Sequence, residues 1–370
     1  MGPCIRIIGQ KMKQLGIGLI GPGLIGSTLL EQLESQKDIL RKDYNIEISI
    51  LAIANSKKMV LSGRGIEVGV WKDELQQGSQ NLDYVALADH LVGSAISRCV
   101  IIDCTASDDP PRNYLDWMGK GLSIITPNKR FNSEDINRHK ELRKLLASSS
   151  LDVHYYFEGT VGAGLPVLIT LQQLKATGDK ILRVEGVFSG TLSYIFNTFG
   201  TDSKSFSEVV IAAKNAGYTE PDPRDDLAGM DVARKVTILA RECGIDLELE
   251  NVPVHSLVPE PLRSCETSEE FLEKLPDFDT DMENLLQDAA QAGECLRFVG
   301  VVDPLQKIGT VELRRYPKDH PFAQLSGSDN IISFTTERYS QQPLIIRGPG
   351  AGAEVTAGGV FSDILRLLSF

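Results

Sequence analysis

The chain holds little that would support metal or disulfide chemistry. Its six cysteines (Cys4, Cys99, Cys104, Cys243, Cys265 and Cys295) form no CxxC pair. That excludes the usual zinc frameworks and predicts a reduced protein without disulfides. The five histidines, His90, His139, His154, His255 and His320, are equally scattered. Positive charge is short as well: 38 Lys and Arg stand against 50 Asp and Glu, a net charge of −12. A phosphate-neutralising surface is excluded on that balance, so no nucleic-acid partner is expected, although a local basic pocket is compatible with it. Long apolar runs are missing, and no membrane association is expected. The longest candidate, VGAGLPVLITL (161–171), is broken by Gly and Pro and falls short of the ~18 residues of a transmembrane helix. Internal repeats and low-complexity tracts are absent too.

What is present suits a globular protein of two domains, or one large α/β unit with an insertion: 370 residues, 42% hydrophobic and 24% charged,. The opening MGPCIRIIGQKMKQ (1–14) carries basic residues and no acid. It is too short and too poor in Ser for a transit peptide and reads as a leader without a clear targeting signal.

LGIGLIGPGLIGSTLLEQLES (15–35) passes from an apolar run into helical periodicity through Gly21, Gly23 and Gly26, with Leu24 and Ile25 between the last two. This is GxGxxG in the context its chemistry needs, strand before and helix after. Gly21 permits the turn, Gly23 admits a pyrophosphate close to the backbone, and Gly26 allows tight helix–strand packing. IEISILAIA (46–54) predicts the second strand, whose end contacts the adenosine ribose. A carboxylate usually stands there in NAD-preferring sites; here the residues are Asn55, Ser56, Lys57 and Lys58. A 2′-phosphate fits beside Lys57 or Lys58, which favours NADP(H) with NAD(H) as the alternative; the other reading is a solvated lysine pair. CVIIDCT (99–105) and LSIITP (122–127) read as buried parallel strands. Their carboxyl ends place Thr105 and Lys129 on the cofactor side. NSEDINRHKELRKLLASS (132–149) predicts a helix with Asn132 or Ser133 as cap.

From about residue 150 the pattern changes. VHYYFEGTVGAGLPVLITLQQL (153–174) and ILRVEGVFSGTLSYIFNTF (181–199) each read as strand, turn, helix. The successive carbonyls of GTVGAG suit a hard cation or simply a tight connection, and spacing alone favours the latter. An acidic helical stretch (266–293) precedes the strands CLRFVGVV (295–302) and KIGTVELRRY (307–316). The tail, GPGAGAEVTAGGVFSDILRLLSF (348–370), returns through a glycine-lined turn and a helix to the first domain. The expected architecture is α/β: a Rossmann-type nucleotide-binding domain (15–160) with an inserted α+β substrate and dimerisation domain (161–340), completed by residues 341–370.

TEPDPRDDLAGMDVARK (219–235) concentrates the chemistry. Pro221 and Pro223 predict an extended backbone, and Asp225 or Asp226 then caps a helix running to about Cys243, stopped by Gly244. At about 100° per residue, Asp231 and Lys235 fall about 40° apart inside an apolar stripe, with Glu242 between them, while Arg234, Thr237 and Arg241 form a separate polar face. Burying two charges is costly unless they are paired or used. The pair is therefore either a structural ion pair or a lysine that exchanges a proton with a substrate oxygen, oriented by its aspartate. Glu220 and Asp226 suit a substrate with an ammonium group.

GPGLIG, DCTAS, TPNK, TVGAGLP, FSGTLSYIFN, GYTEPDPRDDLAGMDVARK and RGPGAGAEVTAGG, in this order along the whole chain, resemble homoserine dehydrogenase, most closely the corresponding half of the plant bifunctional aspartokinase–homoserine dehydrogenases. The resemblance implies interconversion of L-aspartate 4-semialdehyde and L-homoserine with NAD(P)H, on the route to threonine, methionine and isoleucine. It implies Lys235 as proton donor oriented by Asp231, with Lys129 between nicotinamide and substrate and sharing the proton transfer. Glu220 and Asp226 would hold the substrate amino group, and Gly190 and Thr191 the substrate-side turn. Thr105 and Gly352 would add cofactor contacts. Main-chain oxygens of Glu158, Val161, Ala163 and Leu165 would bind sodium. A homodimer through the middle domain is implied, in the plastid stroma for a plant protein and the cytoplasm otherwise. No aspartokinase segment accompanies these motifs, so a monofunctional enzyme and an excised domain both fit. Of the rival readings, an aspartate-semialdehyde dehydrogenase needs a cysteine nucleophile, and its best candidate, Cys104, has no histidine near it in sequence. A silent dinucleotide-sensing protein has no use for Lys235, Asp231, Glu220 and Lys129 together.

Overall fold

In a computed structural model of the chain, residues 12–78, 80–148, 150–200 and 204–369 are described; most of the expected leader (1–11) and Cys4 lie outside them. The chain divides into two units. One comprises residues up to Phe131, Asn137–Gly164 and Gly352 onward, and the other Asn132–Ile136 and Leu165–Ala351.

The first unit is built on strands β1 (Lys13–Ile20), β2 (Ile46–Ala54), β3 (Lys58–Leu61), β4 (Gln80–Asn81), β5 (Cys99–Asp103), β6 (Ser123–Ile125) and β7 (Tyr155–Tyr156). They form one sheet in the order β4-β3-β2-β1-β5-β6-β7. β2, β1, β5, β6 and β7 run parallel. The parallel strands are apolar on both faces because helices cover both, and Leu15, Ile17, Val100 and Ile102 are essentially inaccessible,. β3 and β4 extend the edge antiparallel. The chain order reverses on either side of β1, and that switch point is where such sheets bind ligands. Ala357, Val360, Ile364 and Leu367 of the helix Ala353–Leu367 join the same core as Leu15, Leu29 and Ile50, so the unit is discontinuous in sequence.

The second unit carries β8 (Ile181–Val187), β9 (Glu294–Asp303), β10 (Ile308–Pro317), β11 (Asp329–Thr336) and β12 (Leu344–Pro349), antiparallel in the order β10-β9-β8-β11-β12. The helix Met230–Glu242 packs against β9 and β10 so closely that a methyl group on Gly300 would come within 2.5 Å of Val236 Cγ2.

Several boundaries differ from the expectations. β1 starts at Lys13, within the segment set aside as leader. β12 belongs to the second sheet, so the chain rejoins the first unit at Gly352 rather than 341. The insertion starts at Leu165 rather than 161. The helix expected over 132–149 is two pieces, Arg130–Ser133 and Ile136–Ser148. Asn132 and Ser133 lie in the first piece. The Ile136 amide is instead satisfied by Glu248 Oε1 at 3.1 Å.

Candidate active site

In the first unit the glycine loop closes the end of β1. Gly21, at φ +82°, donates its amide to the Ala54 main-chain oxygen at 2.8 Å. A Cβ on Gly26 would sit 2.4 Å from the Gly21 oxygen, whereas one on Gly23 would meet nothing within 4 Å. Gly26 is thus needed for packing, and Gly23 for an approach from outside. The helix Leu24–Asp43 starts there without a side-chain cap, with Leu24 75% exposed. Its first-turn amides and positive dipole end suit a pyrophosphate. The loop fits a dinucleotide.

At the end of β2, Asn55 Oδ1 accepts from the amides of Lys57 and Lys58, both at 2.8 Å. Asn55 therefore shapes the turn. The two lysines are not equivalent: Lys58 donates to the Gln76 oxygen at 2.8 Å, while Lys57 is exposed.

At the end of β5 lies a network that sequence reading did not find. The buried Asp103 accepts from Tyr114 Oη at 2.6 Å, the Thr105 amide at 2.8 Å and Asn128 Nδ2 at 3.1 Å. Asn128 Nδ2 also lies 3.3 Å from Thr105 Oγ1 and 2.8 Å from the Ser107 oxygen, and its Oδ1 accepts from the Arg130 amide at 3.0 Å. Thr105 and the loop holding the half-buried Lys129 are thereby fastened to one carboxylate. Burial pushes the Asp103 carboxyl up, against the hydrogen bonds that favour its charge,. The signal available in sequence was an acid at a strand end followed by PNK. Burial, with Asp103 adding to it, pushes the Cys104 thiol up, which disfavours the thiolate that a thioester mechanism uses.

Further along, Gly162 and Ala163 both take left-handed backbone, at φ +81° and +56°. Val161 and Ala163 are buried, yet their main-chain oxygens accept no hydrogen bond among the described residues. Unpaired buried carbonyls suit a hard cation. The Leu165 oxygen, in the second unit, accepts from the Val167 amide at 2.8 Å. The Glu158 amide donates to Asp363 Oδ2 at 2.8 Å. Burial first, and the Glu158 charge after it, lift Asp363 to about 7. Gly352, at φ +118°, precedes the helix Ala353–Leu367.

In the second unit the stretch from Thr219 folds differently from the expectation. Asp222 caps a short helix, Pro223–Leu227, with Pro223 in its first turn, where a missing amide costs nothing. Gly229, left-handed at φ +74°, separates it from Met230–Glu242. Asp225 and Asp226 are therefore not caps. Asp222 also pairs with Arg224, whose guanidinium holds its carboxyl below the usual range.

Lys235 is 6% exposed. Its Nζ donates to the Phe188 main-chain oxygen at 2.7 Å and pairs with Asp231 Oδ2 at 2.7 Å. The Asp231 side chain is 51% exposed, so only one partner of the pair is buried. The expected polar face of this helix is not at the surface: Thr237 and Arg241 are buried. The Arg241 guanidinium donates to the Leu247 and Asn132 oxygens, each at 2.9 Å, and pairs with Glu248 at 3.1 Å. Glu242 is buried as well and accepts from Gln172 at 3.0 Å.

Glu220 and Asp226 lie together, within electrostatic reach of Asp231. The Glu220 amide donates to Asp226 Oδ2 at 2.8 Å. The Asp226 carboxyl is pushed up by burial first, with the Glu220 and Asp231 charges adding to it, against the hydrogen bond from the Glu220 amide. That mutual repulsion is what a bound ammonium would relieve. Thr191 Oγ1 donates to the Tyr218 oxygen at 2.6 Å, and the Tyr218 ring stacks on Tyr194, two aromatics not foreseen as site residues. Ser189 caps the helix Gly190–Thr198, and a methyl on Gly190 would lie 3.1 Å from the Ser328 oxygen.

Comparison with known proteins is consistent along the chain. The homoserine dehydrogenase family profile matches residues 166–365, and the profile of the homoserine dehydrogenase NAD-binding domain matches 21–158. The chloroplastic bifunctional aspartokinase/homoserine dehydrogenase 2 of Arabidopsis thaliana is 56% identical over 96% of the chain, and the chain spans 39% of that protein's length. The homoserine dehydrogenase of Schizosaccharomyces pombe is 42% identical over 96% of both chains. A Candida auris protein of unknown function, solved as a crystal structure, superposes with a TM-score of 0.89 at 39% identity, over 96% of this chain and 99% of that one. On the match of both profiles and of a relative aligned almost end to end, the chain belongs to the homoserine dehydrogenase family.

Proposed function

We propose that the chain interconverts L-aspartate 4-semialdehyde and L-homoserine, with NADP(H) as the preferred cofactor and NAD(H) as the alternative, on the route to threonine, methionine and isoleucine. The observation that carries this reading is the ammonium of Lys235, buried and paired with Asp231, in a unit where the carboxylates of Glu220 and Asp226 lie together and suit an amino group.

The bound nicotinamide supplies the hydride. Gly21, Gly23, Leu24, Ile25, Gly26, Asn55, Lys57, Thr105, Lys129 and Gly352 are the residues that would hold the cofactor. Lys57 favours a 2′-phosphate through its charge, and Asn55 shapes the turn that presents it. Lys235 donates its proton to the carbonyl oxygen during reduction and recovers it from the hydroxyl during oxidation. Asp231 holds the ammonium in place and stays hydrated itself. Lys129 is assigned to cofactor, substrate and a share of the proton transfer. Glu220 and Asp226 neutralise the substrate ammonium, and Gly190 and Thr191 form the turn that receives it. The main-chain oxygens of Glu158, Val161, Ala163 and Leu165 are assigned to sodium; support comes from the unpaired buried carbonyls of Val161 and Ala163.

The assembly we infer is a homodimer through the second unit. Plastid stroma is the inferred location in a plant, by analogy with the chloroplastic relative, and cytoplasm otherwise. No helix among the described residues is long and apolar enough to cross a membrane.

The decisive assay is consumption of NADPH with aspartate 4-semialdehyde, repeated with NADH and in the reverse direction with homoserine. Absence of turnover with either cofactor in both directions would exclude the reading.

A further inference from the structure

We infer that Asn330 is a positioning residue for the proton donor: its side-chain amide and the ammonium of Lys235 share one acceptor, the main-chain oxygen of Phe188. This rests on the reading of Lys235 as the proton donor. Asn330 Nδ2 lies 3.0 Å from that oxygen and Lys235 Nζ 2.7 Å from it. The amide orientation is set by chemistry, because turning Oδ1 towards a carbonyl would oppose two acceptors.

Asn330 is completely buried, yet its Oδ1 has no hydrogen-bond partner among the described residues. Leaving a buried acceptor unpaired costs about 1–3 kcal/mol. An apolar side chain of the same size would fill the space without that cost. Packing alone therefore does not account for an asparagine here, whereas the donor it supplies to Phe188 does.

The surroundings fix the amide tightly. Asn330 pairs with Gly348 across β11 and β12, and a methyl on Gly350 would come within 1.9 Å of Nδ2. The segment around it is fastened to the helix Gly190–Thr198: Ser193 Oγ donates to the Asp329 oxygen at 2.7 Å, and Asn197 Nδ2 to the Gly327 oxygen at 2.9 Å. Phe188 leads directly into the Ser189 cap and the Gly190–Thr191 turn. Asp231 sits one turn away on the same helix and is half exposed. Phe188 anchors the ammonium from another element, and it relates Lys235 to the turn assigned to substrate. Asn330 holds that anchor. The charged groups that face this anchor are Lys235 and its partner Asp231, with Asp226 and Glu220 beyond Asp231; Asp329 points to the opposite face of β11, as alternation requires, and pairs with Arg347 at 3.3 Å.

The test measures kcat and KM separately for Asn330→Ala, Asn330→Asp and Gly350→Ala in the full chain, reducing aspartate 4-semialdehyde with NADPH. A misplacement of about 1 Å at the donor lowers kcat about 10- to 100-fold, and KM for both substrates should stay within about threefold. Asn330→Asp keeps the shape but donates to Phe188 only when its new carboxyl is protonated. Its kcat relative to wild type should therefore rise as pH falls, whereas a packing role leaves that ratio flat. Gly350→Ala displaces the amide without removing it and should show the same loss, which covers any variant that fails to fold. Combined with Lys235→Met, Asn330→Ala should add no further loss, because both act through one group. A kcat within about twofold of wild type in all three single variants, or full additivity in the double variant, overturns the inference. If Lys235→Met alone retains full kcat, it is the proton-donor reading that fails; if Lys235→Met is inactive and the Asn330 variants are normal, only the role of Asn330 fails.

Discussion

Replacing each member of the Lys235–Asp231 pair in turn separates a structural ion pair from a functional one. Lys235→Met keeps the volume of the stem and removes the charge. What remains is Asp231, half exposed and able to hydrate, and a Phe188 oxygen that still accepts from Asn330 at 3.0 Å. No charge is stranded, and the buried ammonium no longer has to be desolvated. The folding free energy should therefore change by no more than about 1 kcal/mol, the scale of a half-exposed pair, far from the 3–5 kcal/mol of a broken buried pair. Asp231→Ala is the reverse case. It takes the carboxylate from an ammonium at 6% exposure, which should cost about 1–3 kcal/mol. Removing the exposed partner is thus expected to be worse for stability than removing the buried one. Activity should rank the other way. Lys235→Met loses the proton donor and about 10²- to 10⁴-fold in kcat, while Asp231→Ala keeps the donor less well held and loses less. Urea denaturation gives the first ranking, and steady-state NADPH oxidation the second. NADPH binding, followed by its fluorescence, should be unchanged in Lys235→Met. Destabilisation above about 3 kcal/mol with near-normal turnover would mean that the pair is structural and that the proton comes from elsewhere.

Three further outcomes follow from the geometry. Gly26→Ala forces a methyl to 2.4 Å from the Gly21 oxygen and should cost about 1–3 kcal/mol of overpacking; a melting temperature and an NADPH titration equal to wild type would contradict the loop assignment. Lys57→Glu should move selectivity from NADPH towards NADH, whereas Lys58→Glu should not, because Lys58 is engaged with the Gln76 oxygen; equal shifts in the ratio of kcat/KM values would show that neither lysine reads the phosphate. On the proposed reading, bound homoserine would place its ammonium by Asp226 and lower a carboxyl that burial and its neighbours had raised. By linkage, homoserine affinity should fall as pH drops through the free-enzyme value of Asp226 and level off below the bound one. Asp226→Asn should flatten that dependence in calorimetric titrations, and an unaltered pH profile in this variant would remove Asp226 from the amino-group site.

How much of this was legible in the sequence depends on whether a feature is local. The end of β2 was readable to the residue, because an apolar run closed by Asn-Ser-Lys-Lys has one local solution. The glycine loop was readable because Gly21 and Gly26 obey backbone sterics that no other residue satisfies. The break at Gly229 was missed since a left-handed glycine and a helical one look alike in a string, and so Asp225 and Asp226 were assigned a cap that Asp222 provides. β11 and β12 were not read as strands: β11 takes its place beside β8, far away in sequence, and β12 follows β11. The Asp103 network draws on Tyr114, Thr126 and Asn128 from separate segments, and the Phe188 oxygen, being main chain, leaves no trace in the sequence at all.

The helix Met230–Glu242 shows where periodicity stops. It placed Asp231 and Lys235 on one arc, and their 2.7 Å contact follows from that spacing. It also placed Arg234, Thr237 and Arg241 on one arc and took their polarity for solvent. A charged side chain reports only that something satisfies it. For Asp231 that something includes water; for Arg241 it is two carbonyls and Glu248, all inside the protein. The angle around the helix is the same kind of information in both cases, and what faces that angle comes from residues up to 109 positions away. An inset charge thus marks a place where the chain has built a partner. Whether that partner serves folding or chemistry is decided by what else converges there. Around Arg241 the donors meet acceptors that complete a packed interior. Around Lys235 they meet a half-open aspartate whose charge, with that of Glu220, pushes the Asp226 carboxyl up after burial has done so.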